Sequence, residues 1–312
     1  MSGRKNEMNS NLHKAKKHKN DEFYTRYEDI AKELQHYTDQ FKGKTVLLNC
    51  DNPKYSQFWQ YFKDNFDTLE LEKLVATHYV ESGNAYAVEL TTSGEVYTEL
   101  QGNGDFRSDE AVEYLKQADI VVTNPPFSLF REFMAQLMEY DKRFLIIGSL
   151  NSITHKNIWP YMQNYNMWIG HNQGSMPFKV PQGYEPKTGY YVDEHGQGWQ
   201  VLGNTLWYTN LGDVRRDIEL PLVCKYYGNE GDYPKYDHYD AIEVSKVANI
   251  PYDYGGIMGV PITFLGKHNP DQFDIVGCSY EYGRPEGWDS QVSMSPVVGG
   301  KNIYKRVFIR RV

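Results

Sequence analysis

The sequence is poor in several features that would fix its class at once. It has only three cysteines in 312 residues, Cys50, Cys224 and Cys278, an odd and widely spaced set. That excludes a disulfide framework, offers no zinc ligand set, and suits a reducing, cytoplasmic setting. Long hydrophobic runs are missing too. The longest, Phe144–Ile147, falls far short of the roughly 20 apolar residues a membrane helix needs. The N-terminus is polar and basic without an apolar stretch, so no secretory signal and no membrane partner are expected. Positive charge is not in excess: the formal net charge is −8, the wrong sign for binding phosphates by bulk charge. No internal repeat is found.

What is present describes an ordinary globular chain, with 40% apolar and 24% charged residues. Its 26 tyrosines suit either base stacking or an aromatic-rich β region. Charge is unevenly spread. Arg4, Lys5, Lys14, Lys16, Lys17 and Lys19 lie at the front, and Lys301, Lys305, Arg306, Arg310 and Arg311 at the back. Residues 1–20 have no apolar period and are expected to form a disordered basic tail.

From residue 21 the pattern alternates. Ile30, Leu34 and Tyr37 share one face of a helix over 28–41, which Lys42-Gly43-Lys44 ends. The apolar run at 45–50 predicts a buried strand, 56–65 a helix, 74–79 a second strand, and 86–100 a hairpin about Ser93-Gly94. A helix over 108–116 precedes a third buried strand at 120–123, followed by a helix over 129–140 and a strand at 143–147. This order implies an α/β fold with a parallel sheet and helices on both faces. After about residue 170 glycine, proline and tyrosine become frequent. A strand at 204–210 closes the sheet. Short runs at 262–265, 273–276 and 304–309 predict strands in a smaller C-terminal α+β or β-rich region. The expected organisation is therefore a tail at 1–20, a larger domain at 21–210 and a smaller region at 211–312.

The sharpest feature is Asn124-Pro125-Pro126-Phe127, at the carboxyl end of a buried strand, where open α/β sheets bind their ligands. The Asn124 side-chain oxygen and the Pro125 carbonyl are two acceptors, and the prolines fix φ and so hold that carbonyl in place. Two acceptors on the N–H groups of a conjugated amine shift its nitrogen toward sp³ character and free its lone pair. Phe127 offers a face on which an extruded base can stack. No general base of shifted pKa is required.

The tetrapeptide resembles the catalytic motif of N6-adenine and N4-cytosine methyltransferases. The wider chain, from about residue 11 to the end, is similar to the EcoRI-type adenine-specific DNA methyltransferases. The resemblance is carried by the segments 20–25, 47–53, 119–127, 207–211 and 262–270. It implies a Rossmann-like class I methyltransferase sheet that binds S-adenosylmethionine, with no metal, and double-stranded DNA as the substrate. A cognate restriction endonuclease is a candidate partner. It further implies that Phe23, Tyr24 and Thr25 pack over the methionine end of the cofactor. Asn49 and Asp51 would sit in a cofactor loop that lacks the usual Gly-x-Gly. Asp105 would accept from the adenine amine, with Phe106 against the ring; Glu81 is a weaker candidate for the ribose. Target recognition is expected in residues 211–312. The same polarising chemistry also suits cytosine N4, an RNA adenine or a protein glutamine, and the irregular cofactor loop leaves room for a catalytically idle DNA-binding relative.

Overall fold

The computed structural model describes residues 23–50, 52–81, 83–289 and 295–312. The basic tail at 1–20 and Asp51 lie outside the described residues. The chain divides into two compact units, one running to Ser152 and including Gly170–Leu211, the other made of Ile153–Ile169 and Gly212–Val312. The second unit thus takes in residues 153–169 as well as the stretch from 212 onward.

The first unit is built on a ten-stranded mixed sheet. Its centre is four parallel strands in the order β3 (Lys73–Thr77), β2 (Thr45–Leu48), β6 (Ile120–Thr123) and β7 (Arg143–Ser149). These segments are runs of Val, Leu and Ile without alternation, as strands buried on both faces require. The sheet is not parallel throughout, which corrects the simpler expectation. The hairpin β4 (Tyr86–Thr91) and β5 (Gly94–Glu99) extends one edge antiparallel, turning where Gly94 takes φ +109°. On the other side β10 (Gly198–Thr209) runs antiparallel to β7, followed by β8 (Trp168–Lys179) and the short β1 (Tyr24–Thr25). A three-residue β9 (Tyr190–Val192) pairs with the start of β10.

Helices cover both faces. Val46 and Leu48 share a buried cluster with Ile30 and Leu34 of α1 (Tyr27–Leu34) and Phe58 and Phe62 of α2 (Gln57–Asp64). Strand side chains alternate, so Gly148 and Tyr208 point away from Ile147 and Trp207 of that cluster. There they meet Phe130 of α4 (Phe130–Glu139), whose ring lies 5.1 Å from that of Tyr208. A Cβ on Gly148 would come within 2.5 Å of the Phe130 ring, so helix and sheet approach closely there. The start of α2 and that of α3 (Asp109–Gln117) are capped by Ser56 and Ser108, which accept from the amides of Trp59 and Ala111.

Among its described residues the second unit has one short α-helix, α5 (Trp159–Gln163), and a four-stranded sheet. In order these are β11 (Ile242–Glu243), β12 (Met258–Pro261), β16 (Arg306–Arg311) and β13 (Phe273–Cys278), while β14 (Val297–Val298) and β15 (Lys301–Asn302) form a separate hairpin. The strand expected at 262–265 is instead a 3₁₀ helix, Ile262–Lys267. Pro261 has no N–H for a ladder, so the strand ends there and the following apolar residues turn inward, burying Phe264 and Leu265. Glu243 accepts from Tyr236 and from Nε and Nη2 along one edge of the Arg306 guanidinium, and tethers β11 to β16. Among the described residues no helix is long and apolar enough to cross a membrane, and no His/Cys/Asp/Glu group is placed to hold a metal.

Candidate active site

The carboxyl ends of β3, β2 and β6 form one edge. Leu48 pairs with Ala76, and Leu47 with Val121, so Thr77, Asn49 and Thr123 stand one step or two beyond the paired positions, with Asn124 next. All four are buried, and polar groups in such a place are normally hydrogen-bonded.

Asn124 is 6% exposed and its Nδ2 donates to the backbone carbonyl of Phe23 at 2.6 Å. A carbonyl can receive only the amide's N–H end, so this contact assigns Oδ1 as the end left to accept. Oδ1 is buried and has no partner. The following loop sorts its carbonyls in the same way. Pro126 accepts from the amide of Leu129 at 2.9 Å, whereas the Pro125 carbonyl accepts no hydrogen bond among the described residues. Pro126 has φ −54° and ψ 125°, an extended conformation that leads into the 3₁₀ turn Phe127–Leu129. The tetrapeptide thus presents two uncommitted acceptors from neighbouring residues.

Phe127 is half-buried and lies nearly parallel to Phe23, with ring centroids 5.6 Å apart and planes 28° from parallel. Phe178 and Tyr184 meet the edge of Phe23 at 5.6 and 6.0 Å. Phe23, Asn124 and Phe127 are therefore brought together, through one backbone and one ring contact. Tyr24 and Thr25 follow on β1, paired with Lys179 and Phe178, and the buried Thr25 hydroxyl has no partner.

Asn49 is buried at the end of β2, with the Cys50 thiol donating to its Oδ1 at 3.7 Å. The segment carrying Asp105 and Phe106 crosses the end of β3. Gly104 takes φ +73°, and a Cβ there would lie 2.0 Å from the His78 carbonyl, so only glycine fits. Asp105 accepts from Arg107 through both carboxylate oxygens, and Arg107 also pairs with Glu132. Phe106 is buried edge-on against Phe133 of α4 at 5.1 Å. Among the described residues Phe106 thus has Phe133 as its ring partner, whereas Phe127 stacks on Phe23. Glu81 is exposed.

Two polar residues escaped the reading of the sequence. The Thr77 hydroxyl and His78 Nδ1 are buried without partners at the end of β3. Burial holds the His78 imidazole below its usual pKa, assisted by Lys54 and opposed by a bond with the Tyr86 backbone. A Thr-His pair ending an apolar strand was the available signal. It looked like an ordinary strand end, because nothing in a sequence shows that a hydroxyl goes unpaired.

A family model described as adenine-specific methyltransferase EcoRI matches residues 11–311. The chain is 47% identical to the type II methyltransferase M.EcoRI of Escherichia coli, covering 87% of this chain and 90% of that protein. It is 45% identical to the type II methyltransferase M.MpnI of Mycoplasma pneumoniae, with 86% of this chain and 85% of that protein covered. M.MgeORF184P of Mycoplasma genitalium, also a type II methyltransferase, is 42% identical over 86% of each. No solved structure matches the chain significantly. With a family model spanning nearly its whole length and relatives at this identity, the chain belongs to the EcoRI family of adenine-specific methyltransferases.

Proposed function

We propose that this chain transfers a methyl group from S-adenosylmethionine to the N6 amine of adenine in a specific sequence of double-stranded DNA. The target base would be turned out of the duplex to lie at Asn124–Phe127. The observation that carries this reading is the buried, unpartnered Oδ1 of Asn124, aimed by the Phe23 carbonyl. A buried acceptor without a donor costs on the order of 1–3 kcal/mol, which a substrate N–H recovers on binding. The Pro125 carbonyl takes the second N–H. The nitrogen lone pair is thereby withdrawn from the ring, and no protein base need act first. The Phe127 face receives the base, supported from behind by Phe23.

The residues at the strand ends fit the cofactor. Thr25 and Thr77 hydroxyls and His78 Nδ1 are buried groups awaiting polar partners, and Gly104 lets a backbone segment close over the edge. The β3-β2-β6-β7 order with a ligand at the carboxyl edge is the arrangement of a class I methyltransferase sheet. When bound there, S-adenosylmethionine supplies an electrophilic methyl group. Phe23, Thr25, Asn49, Thr77 and His78 would hold it, and Asp51, outside the described residues, would join them. Asp105 would assist only by exchanging its bond with Arg107. A modification enzyme of this kind would act in the cytoplasm and shield DNA from an endonuclease of the same specificity.

The test is to incubate the protein with labelled cofactor and DNA and identify the modified base. N6-methyladenine is expected, with Asn124→Ala lowering the rate about a thousandfold or more while DNA binding persists. Label on cytosine, RNA or protein alone, or an active Asn124→Ala enzyme, would overturn the reading.

A further inference from the structure

The second unit contains an arginine that is held firmly and yet given no carboxylate. The guanidinium of Arg216 lies over the Trp168 ring at 4.2 Å from its centroid and over Tyr165 at 6.0 Å. Its side chain makes no hydrogen bond or ion pair among the described residues. The fully buried side chain of Asp213 nearby accepts from the neighbour, Arg215, which also donates to the Ile169 carbonyl. Asp217 is exposed. Burial pushes the Arg216 pKa down, the mark of a cation that solvent and counter-charge do not fully compensate.

A guanidinium held over ring faces by cation–π attraction still has its N–H groups to offer an anion. Guanidinium N–H groups have the fork geometry that grips two oxygens of an anion. The cleft it lines, with Lys267, Gly266 and His268, has room for the centre of about one water-sized group, about 10 Å³. That is too small to enclose a base or a sugar. Lys267 is exposed there and has no ion pair among the described residues, so it adds positive potential. His268 contributes no charge at neutral pH, since burial lowers its pKa to about 4. A second, independent sign is Trp168 Nε1, a donor-only group buried in the same place without a partner.

We propose that Arg216, oriented by Trp168 and Tyr165 and aided by Lys267, grips one backbone phosphate of the DNA substrate. The proposal rests on the reading of the chain as a DNA methyltransferase and assigns it a register contact outside the catalytic unit. The contact positions the duplex without reading its sequence.

The experiment measures the affinity of the full chain for two duplexes, one carrying its methylation site and one scrambled, across a series of salt concentrations. Arg216→Ala is expected to weaken both by a similar factor, roughly tenfold, and to reduce the salt slope by about 0.9, the signature of one lost phosphate. Lys267→Ala, at an exposed position without structural partners, should weaken both several-fold and tests the site even if Arg216→Ala folds poorly. Arg216→Lys keeps the charge but not the fork, and should fall between wild type and Arg216→Ala. Unchanged affinity and slope in Lys267→Ala and Arg216→Ala would overturn the proposal. So would a loss confined to the site-bearing duplex, which would make Arg216 a base reader. A wild-type chain that binds neither duplex would instead remove the DNA reading itself.

Discussion

The two units solve the problem of holding a site in place by different means. The first is periodic: apolar strands and amphipathic helices alternate, and its candidate site appears where strands end. The second has few regular elements among its described residues and relies on polar knots. Glu243 with Tyr236 and Arg306, Asp213 with Arg215, and Asp237 accepting from the amides of Gly299 and Gly300 do there what helix packing does in the first. The lesson is that burial of apolar area tolerates some change of shape. A buried ion pair fails as soon as one partner goes.

The contrast can be broken most sharply in the first unit by an isosteric change. Asn124→Asp keeps an acceptor but sets a carboxylate oxygen against the Phe23 carbonyl. At neutral pH methyl transfer should drop about a hundredfold, and part of it should return on acidification, when the protonated carboxyl donates to Phe23 as the amide did. A pH–rate profile that is merely lowered, without recovery in acid, would show that the Phe23 contact does not set the orientation.

Next in size is Glu243→Ala, which leaves Arg306 with its side chain only 11% exposed and no counter-charge. A loss of about 3–5 kcal/mol in denaturant unfolding is expected. If the change is below about 1 kcal/mol, the second unit does not depend on this knot. Gly148→Ala probes the first unit with a single methyl against Phe130 and Tyr208. Overpacking of this kind costs about 1–3 kcal/mol, and should leave the second unit's contacts intact.

The smallest effect is a titration. His268 is neutral when folded because burial lowers its pKa to about 4, whereas unfolded it would protonate near the ordinary 6.5. The unfolded chain therefore binds the extra proton first. Stability from this residue is whole above pH ~6.5 and declines as pH falls towards about 4. A His268→Phe variant should show a shallower decline over that window, and an unchanged slope would place the acid sensitivity elsewhere.

How much of this was legible in the sequence follows the same division. The strands at 45–48, 73–77 and 120–123, the four helices and the hairpin at Ser93-Gly94 are local patterns, and their outlines survive with shifts at the ends. Asn124–Phe127 was legible because the chemistry and the strand end coincide in one stretch. The strand β8 was not. Its middle, Gly170-His171-Asn172-Gln173, is polar, and it becomes a strand through Glu33, which accepts from the amides of His171 and Asn172. Glu33 itself sits in a helix where a surface glutamate would look the same, yet it is fully buried, and burial pushes its pKa up against those hydrogen bonds. Partners about 138 positions apart leave no local trace. The 3₁₀ helix at 262–267 was missed for a related reason, since a short apolar run fits either a strand or a tight turn until Pro261 is seen to end the ladder.

The Asn124–Phe23 bond joins positions 101 residues apart in the chain. An untethered amide has two orientations half a turn apart, and only one offers an oxygen to the substrate. Which one is adopted is decided by a carbonyl near the front of the described chain. The tetrapeptide therefore does not contain its own instructions: grafted onto another strand end it would bring the right atoms with an unassigned direction. A version of this enzyme cut just after Phe23 should keep its sheet, and should turn over substrate only in that fraction of molecules whose amide happens to face the right way.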